Sequence, residues 1–548
     1  MDAQLKIGLI VDGATIKGWQ FSIVQQLLDD DRFDCVALIE LLACEHQMPG
    51  DETGLGGKVW RLVDRCDAWL ANRLFGKRWR PLKHGVDADV ELSRLGQSLE
   101  IVRLCSGKTS DAALLADFGL DVLVNFTSGD VGPGLAAHTR FGVWSLDLGA
   151  PGLLGFWEVF RKSAFSTNTL QVRPPNSAAG TNIRLRHFST FPLSWNENRK
   201  TILWKSRFLM IDALSQLART RTIPTPDHRE SEPFGLDWHR RRDLPTAFEA
   251  VLALARCSCR IFKHILKRRL TRDQWQLIVR DGPLDGRRLS DFNSVAPPNN
   301  KSFWADPFLT ARDGATWIFF EDLTFSQNRG LISCVRLIED SFYSFQTVLD
   351  RPYHLSYPFL FEHGGDLYML PETRQNGTVE LWKCVEFPGK WELTRTIFEN
   401  ISAVDGTILE HDGRWWLFTN IDRSGLGRAN RGVDYDELFI YHTDDPINGT
   451  WQPHAANPIV TDARWGRMGG AFMRTSSGRL LRCAQIGGLE YGSGLAFLEV
   501  KRLSESAFEE RPVESVYPHW RQDLIGIHHC CRNLDTTVFD VCVRVPRR

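Results

Sequence analysis

The chain has 548 residues, of which 43% are hydrophobic and 24% charged, and its formal net charge is −1. Because single cores stop growing at about 250–300 residues, at least two domains are expected. The composition excludes disordered and collagen-like proteins, and the near-zero net charge gives no global electrostatic footprint for nucleic acid.

The cysteine pattern and the N-terminal sequence indicate whether a metal site is expected and in which cell compartment the protein lies. The twelve cysteines show no C-x-x-C unit and no nearby Cys/His ligand spacing, so we expect neither a metal site nor a cofactor. The apolar run LKIGLIV is too short for a signal-peptide core, and no stretch approaches the roughly 18 apolar residues that span a bilayer. These features predict a cytoplasmic protein with reduced cysteines.

The first part of the chain has the pattern of a doubly wound α/β domain. Residues 5–40 read as an apolar strand, a glycine-bearing turn, a helical segment and a second strand. The same order returns over 112–147. We predict an α/β domain over residues 1–205.

Residues 206–272 differ in texture and are predicted to form a helical and basic linker region. A helical run is followed by a loop rich in proline and charge, then by AFEAVLALARCSCRIFKHILKRRLTR. One interpretation is a helix packed between domains with a solvated basic face. The alternative is peripheral contact of residues 250–272 with the inner face of a membrane.

Residues 273–548 are predicted to form an all-β domain. Short strands rich in Trp, Phe, Val and Ile alternate with Gly, Asp and Asn turns. A strand–turn–strand unit recurs as DPFLTARDGATWIFFED, YPFLFEHGGDLYMLPET, DGTILEHDGRWWLFTNID and GGAFMRTSSGRLLRCAQ, with a fifth copy near NLDTTVFDVCV. Five such units predict a five-bladed β-propeller.

Three acidic residues lie at positions in the repeat from which their side chains are expected to point into the central channel of the propeller. Asp306 and Asp405 lead copies of the repeat, and Glu372 ends another. Glycosidic chemistry needs one protonated and one ionised carboxyl group, so these acids are the predicted catalytic residues. The alternative is that the aspartates only start turns, because Asp before Gly or Pro is common turn chemistry.

Four further residues are predicted to bind the substrate. Trp304 lies beside Asp306 in WADPF and is expected to form a sugar-stacking wall. Arg467, in WGRMGG, can clamp a phosphate or carboxylate. Glu321 and His528 complete the set, and for His528 a buried neutral imidazole is the alternative.

Several short motifs carry a resemblance over about 280–548. WADPFL, HLSYPFLF, YMLPE and VDGTILEHDGRWWLF resemble the N-terminal propeller family of plant glucosamine inositolphosphorylceramide transferases, and the five-bladed clan of arabinanases, xylosidases and invertases. The clan pattern implies that Asp306 is the base and that Asp405 tunes a pKa. The fourth copy, GRMGGAF, has no leading glutamate at the position of the clan's acid.

The N-terminal region is similar to the formyltransferase fold of methionyl-tRNA and sugar N-formyltransferases. Ser145 and Asp147 stand where that family has its Asn-x-His pair, and Ala178 stands where it has an aspartate. Because alanine moves no proton, folate-dependent formyl transfer is expected to be lost. The segment GLLGFWEVF, with Trp157 and Glu158, implies a pocket kept for binding or altered chemistry.

These observations favour a carbohydrate-active enzyme of glycan or glycolipid biosynthesis. Glycosyl transfer is expected ahead of hydrolysis, with a carbohydrate or glycolipid substrate and a nucleotide-sugar donor. One alternative is an N-formyl- or acyltransferase-like enzyme acting on an amino sugar, with the propeller as a binding module. Another is a non-catalytic glycan-binding scaffold.

Overall fold

A computed structural model describes residues 4–42, 55–95, 99–105, 111–127, 131–149, 152–177, 179–225, 243–281, 293–297, 301–338, 341–426, 435–533 and 536–547. The chain forms two compact units, Met1–Ile261 and Phe262–Arg548. Most of the predicted proline- and charge-rich loop, and Ala178, lie outside the described residues.

The first unit is built on a seven-stranded sheet in the order β5-β3-β1-β6-β7-β8-β9. Its strands are β1 (Leu5–Val11), β2 (Thr15–Lys17), β3 (Phe33–Leu42), β4 (Asp89–Glu91), β5 (Glu100–Cys105), β6 (Val122–Asn125), β7 (Val143–Leu146), β8 (Phe165–Arg173) and β9 (Thr181–Ser189). The first five strands in this order, β5, β3, β1, β6 and β7, pair in parallel, whereas β8 and β9 pair antiparallel. The short β2 and β4 form a separate pair. The predicted α/β class is confirmed.

The helices of the chain are α1 (Gly18–Leu28), α2 (Leu55–Phe75), α3 (Pro133–Ala136), α4 (Phe156–Arg161), α5 (Trp195–Thr220) and α6 (Ala247–Leu270). Short 3-10 turns cover Gly76–Trp79, Leu92–Leu95, Asp111–Phe118, Arg374–Asn376 and Pro518–Trp520. Helix α5 runs through the predicted boundary at residue 205, because Ser194 caps its N-terminus and much of the helix is buried in the first unit. Helix α6 crosses the boundary between the two units.

The second unit is a propeller of five antiparallel sheets. The first blade contains β12 (Ser302–Arg312), β13 (Ala315–Thr324), β14 (Arg329–Ile338) and β15 (Ser341–Leu349), and the second contains β16 (Ser356–His363), β17 (Asp366–Thr373), β18 (Thr378–Glu386) and β19 (Lys390–Glu399). The third blade contains β20 (Ala403–His411), β21 (Arg414–Ile421), β22 (Glu437–Thr443), β23 (Gln452–Pro453) and β24 (Val460–Thr461). The fourth blade contains β25 (Arg467–Met468), β26 (Met473–Arg474), β27 (Leu480–Ile486), β28 (Gly494–Leu503) and β29 (Phe508–Val516). The predicted five-bladed propeller is confirmed.

The fifth blade closes the ring with strands from both ends of the unit. Its members are β10 (Thr271–Asp281), β11 (Asn293–Val295), β30 (Leu524–Arg532) and β31 (Thr536–Pro546), in the order β11-β10-β31-β30. Strand β10 pairs with β31 along its whole length. The propeller is therefore closed by hydrogen bonds between the first and last strands of the unit, within a single blade.

The hairpin turns explain why the repeat is visible in the sequence. Asp313 and Gly314 both have positive φ angles, 53° and 69°, and so do Asp412 and Gly413, at 52° and 73°. Two consecutive left-handed residues make the tight turn whose twist matches antiparallel strands, and Asp-Gly is the preferred pair. Buried Phe, Ile, Leu and Val side chains from neighbouring blades then fill the space between the sheets.

Candidate active site

Each of the first three blades has a bulge near the start of its innermost strand. The residues there, Asp306, Tyr357 and Asp405, have positive φ angles of 53°, 47° and 56°. The pairing register slips at all three places. A bulge re-aims a side chain, and a left-handed tyrosine is a backbone outlier, so these positions are candidates for a functional centre.

The fourth and fifth blades complete the ring differently. Gly470 has φ 138°, and a Cβ there would lie 1.8 Å from the Cys530 carbonyl oxygen. Its amide donates to the Tyr357 hydroxyl at 3.1 Å. This close approach explains why the fourth repeat has no leading acid. In the fifth blade the register shift falls at His528 and His529.

Two glutamates lie on second strands, directly opposite the residues that precede the bulges. Glu321 pairs with Ala305, and Glu372 pairs with Ser356. Both are almost fully buried. The propeller therefore brings Glu321 and Glu372 to equivalent positions in neighbouring blades, beside Asp306.

His528 is held between two aspartates. Its Nε2 lies 3.1 Å from Asp306 Oδ1, and its Nδ1 lies 3.0 Å from Asp540 Oδ2. The buried Asp540 also accepts backbone N–H groups from Asp306, His528 and His529, at 3.0, 3.1 and 2.9 Å. Ligand atoms of Asp306, His528 and Asp540 lie within 4.8 Å of one another, a spacing that a cation would also accept.

These contacts set the charges of His528 and Asp306. Burial opposes the charge of His528, but the Asp540 and Asp306 carboxylates outweigh it and raise its pKa to about 10. Burial likewise opposes ionisation of Asp306, yet the hydrogen bond from His528 and nearby cationic groups lower its pKa. His528 is thus a buried imidazolium at neutral pH, which differs from the neutral histidine weighed as an alternative, and Asp306 is ionised.

The raised pKa of His528 predicts a pH-dependent stability. A histidine whose folded pKa is about 10, against an ordinary value near 6.5, stabilises fully below about pH 6.5 and loses that contribution as pH rises through about 10. We expect His528→Gln to unfold at lower urea concentration than the wild type at pH 6.5, and the difference to shrink toward pH 10. The exposed control His519→Gln should show no such trend. A difference constant with pH would contradict the assignment of the imidazolium.

Arg467 forms an ion pair with Asp405. The Arg467 Nε donates to Asp405 Oδ2 at 2.7 Å, and the guanidinium lies 5.7 Å from the Tyr435 ring and 5.3 Å from the Tyr491 ring. Burial raises the pKa of Asp405 even though Arg467 works against the shift. The predicted arginine therefore lies among the predicted carboxylates, already engaged with one of them.

Glu372 has a second arginine beside it. Its Oε1 lies 3.4 Å from Arg374 Nε, and an Arg374 terminal nitrogen donates to the Tyr435 hydroxyl at 3.3 Å. Burial and the charge of Asp405 raise the pKa of Glu372 to about 7, against the opposing effect of Arg374 and Arg467. Glu372 therefore holds a proton in part of its population at neutral pH.

Glu321 is protonated more firmly. Burial, together with the charges of Asp306 and Glu372, raises its pKa well above the usual range. His354 Nε2 lies 3.3 Å from its carboxylate. The mutual effects among Asp306, Glu321, Glu372 and Asp405 show that the four acids form one electrostatic cluster, in which Asp306 is the acid whose pKa is lowered.

The ring of Trp304 is not available to stack against a sugar. It is buried, with its ring 4.9 Å from that of Phe320 and stacked 5.7 Å from that of Phe345. A stacking wall needs an open aromatic face, so the expectation for Trp304 is corrected. Tyr491, which packs 5.1 Å from the His528 ring and keeps a 54% exposed side chain, is the aromatic residue that the sequence interpretation missed.

The formyltransferase-like resemblance of the first unit finds no support here. Ser145 lies at the middle of β7, and Asp147 follows that strand and accepts the Gly149 amide at 3.0 Å. Trp157 is buried against Phe156 and Phe160 in the hydrophobic core. Trp157 therefore serves packing and does not line an open pocket.

The comparisons with known proteins concern the propeller. Residues 291–523 match the family model of the glucosamine inositolphosphorylceramide transferase 1 N-terminal region. The Arabidopsis thaliana glucosamine inositolphosphorylceramide transferase 1 is 33% identical over 226 residues, which cover 40% of this chain and 28% of that protein. The protein of the same name from Oryza sativa subsp. japonica is 30% identical over 220 residues, covering 39% and 28%. The chain thus spans 28% of the length of these curated relatives.

Solved glycoside hydrolases are among the structures that match part of this chain. A thermostable family-43 glycoside hydrolase gives a TM-score of 0.31 at 10% identity, covering 41% of this chain and 83% of that one. The catalytic domain of a Coprinopsis cinerea GH62 α-L-arabinofuranosidase gives 0.33 at 12% identity, covering 46% and 83%. The five-bladed assignment itself rests on the strand pairing described above.

Proposed function

We propose that the propeller is the catalytic unit of a carbohydrate-active enzyme of glycan or glycolipid biosynthesis. The observation that carries this proposal is the opposite perturbation of neighbouring acids: the pKa of Asp306 is lowered, whereas that of Glu372 is raised to about 7. Acid–base catalysis at a glycosidic bond requires one ionised and one protonated carboxyl group.

Each polar residue then has a role. Asp306 acts as the base, kept ionised by His528, and Glu372 delivers the proton to the leaving oxygen. Asp405 and Arg467 form the charge pair that adjusts the pKa of Glu372. Tyr491 offers an aromatic face to the sugar, and Arg374 holds Glu372 in place.

The reaction we favour is glycosyl transfer in the cytoplasm, from a nucleotide-sugar donor to a glycolipid or glycan acceptor. The support is the match of residues 291–523 to a family whose curated relatives are named as transferases. Hydrolysis uses the same pair of carboxyl groups and remains the competing outcome. An assay with radiolabelled sugar donors and glycolipid acceptors, read for both transferred and free sugar, separates the two reactions.

The pKa of Glu372 predicts the basic limb of the activity profile. Turnover should fall as pH rises through about 7, because the general acid loses its proton there. Glu372→Gln should lower turnover by about 10²–10⁴-fold and remove this limb, with a smaller loss for aryl glycosides that carry an acidic leaving group. Glu362→Gln, at an exposed position of the same blade, is the matched control. A full basic limb in Glu372→Gln would assign the proton donor elsewhere.

We also propose that α6 makes peripheral contact with the inner face of a membrane. Its inward residues Ala250, Ala253 and Cys257 are buried, whereas Phe262 and Leu266 are 66% and 44% exposed. Lys267, Arg268 and Arg269 add positive charge to the last turn. Exposed apolar and basic side chains on one helix suit an anionic lipid surface. Within the described part of the chain, no helix is long and apolar enough to cross a membrane.

This contact predicts an effect on vesicle binding. Phe262→Ser with Leu266→Ser should weaken binding to anionic vesicles about tenfold or more, because two apolar side chains no longer enter the lipid. The matched control is Leu393→Ser with Val513→Ser, which removes two similarly exposed apolar groups from the propeller. Equal binding by both double variants would argue against the α6 contact.

A further inference from the structure

Helix α2 separates its charges between two faces. Its acids point inward: Asp67 accepts the Ser194 hydroxyl at 2.8 Å, and Asp64 accepts the Trp195 indole N–H at 2.8 Å. Asp67 is also bound by the Asn196 side chain at 2.9 Å. These hydrogen bonds commit both acidic side chains to the fold of the first unit.

The outward face of α2 carries basic and large apolar residues. Leu62 and Trp69 are 64% and 63% exposed. The exposed members of this face are Lys58, Arg61, Leu62, Arg65, Trp69 and Arg73. Their spacing of three or four residues places them on one stripe of the helix. We call this stripe the α2 outer face.

We propose that the α2 outer face docks on an anionic lipid bilayer. Basic side chains are attracted to anionic headgroups, while the exposed leucine and tryptophan can enter the headgroup region. Tryptophan is the side chain that favours this interface, because its ring is apolar and its N–H is polar. This contact goes beyond the proposed sugar chemistry and does not depend on it.

Details of the α2 outer face favour lipid over nucleic acid. The Arg73 guanidinium lies 5.5 Å from the Trp69 ring, so the long basic side chain and the ring present charge and apolar surface together. Arg61 and Arg65 also border a pocket of about 190 Å³ whose lining includes Trp60, Asp64 and Gly152. A site built only for a nucleic-acid backbone would have no use for Leu62.

The buried sides of α2 and α6 pack into the same hydrophobic cluster. Trp60 and Val63 of α2, and Ala250, Ala253 and Cys257 of α6, belong to the same hydrophobic cluster of the first unit. One weak membrane contact gives only marginal and reversible binding, and stable attachment needs a second. The α2 outer face supplies that second contact.

Flotation of the full chain with vesicles of phosphatidylcholine, with and without phosphatidylserine, tests the proposal. Lys58→Glu with Arg65→Glu should weaken binding to the serine-lipid vesicles about thirtyfold or more, since each basic residue near such a surface contributes roughly a factor of five. Trp69→Ser should lower the binding that persists at high salt. The matched control Lys390→Glu with Arg502→Glu makes the same net charge change at exposed propeller positions and should bind nearly as the wild type.

The outcomes are distinguishable. Wild-type binding by the Lys58→Glu, Arg65→Glu variant overturns the α2 proposal, and if Phe262→Ser with Leu266→Ser then abolishes binding, the α6 contact alone stands. An equal loss in the propeller control also overturns it, because net charge would explain the effect. The proposal is also overturned if the Lys58→Glu, Arg65→Glu variant loses binding to duplex RNA but keeps its binding to vesicles. Unchanged thermal unfolding of the variants confirms that they are folded.

Discussion

Replacing Asp306 by asparagine should abolish most sugar turnover while leaving the fold in place. Asparagine tolerates the left-handed backbone that Asp306 adopts, and its amide has nearly the same shape as the carboxylate. It cannot accept a proton or attack as an anion, so turnover should fall by about 10²–10⁴-fold or more. Acceptor affinity should change much less, which kinetics on an identified substrate would show as a loss in kcat.

The chain provides a close control for this substitution. Asp412 has a φ angle of 52°, almost the same as that of Asp306, but its side chain is 86% exposed in a hairpin turn. Asp412→Asn should keep full turnover. If Asp306→Asn also kept it, Asp306 would not be the catalytic base. Tight glycan binding without turnover of any donor would instead favour a non-catalytic scaffold.

The largest expected loss of stability follows from Arg482→Met. Arg482 and Glu510 are both fully buried, and they form two parallel hydrogen bonds of 2.8 and 2.7 Å. Removing the arginine leaves a buried carboxylate without its counter-charge, which typically costs about 3–5 kcal/mol. Arg482 also donates to the Trp465 carbonyl at 2.8 Å, two residues before Arg467. Some of the loss should therefore reach the catalytic cluster.

Hydrogen exchange of amides in β27 and β29 measures this effect locally, which suits a chain of two units that need not unfold together. Arg502→Met is the matched control, because its partner Glu509 is 4.0 Å away and both side chains are largely exposed. Arg502→Met should lower the free energy of unfolding by at most about 1 kcal/mol. Replacing both buried partners, in Arg482→Met with Glu510→Leu, should restore most of the stability. Equal protection in Arg482→Met and Arg502→Met would show that the buried pair contributes no more than an exposed one.

The repeat made much of the propeller predictable. Asp-Gly turns and alternating apolar residues depend on local chemistry, so the blades and the leading acids Asp306 and Asp405 could be identified from short motifs. Tyr357 was overlooked, although YPF stands where the first blade has DPF. Trp304 was expected at the sugar site because it lies beside Asp306 in WADPF, but the bulge re-aims the aspartate and the tryptophan lies in the core.

The parts that escaped prediction depend on distant pairing. Asp540 is separated from Asp306 by 234 residues, and only the closing blade brings its carboxylate to the Asp306 amide. Without that neighbour, nothing in GIHH indicates that His528 would be charged. Composition likewise gave no sign that α5 continues through residue 205 to Thr220, because the burial along this helix comes from tertiary packing.

The position of Asp540 on β31 ties the charge of His528 to closure of the propeller. This strand both seals the ring against β10 and supplies the carboxylate that charges His528. A chain whose last blade has not yet formed therefore has Asp306 without its imidazolium, and its acids remain poorly matched for catalysis. Under the proposed function, sugar turnover should therefore begin only when the propeller is complete, and partly folded molecules should be inactive.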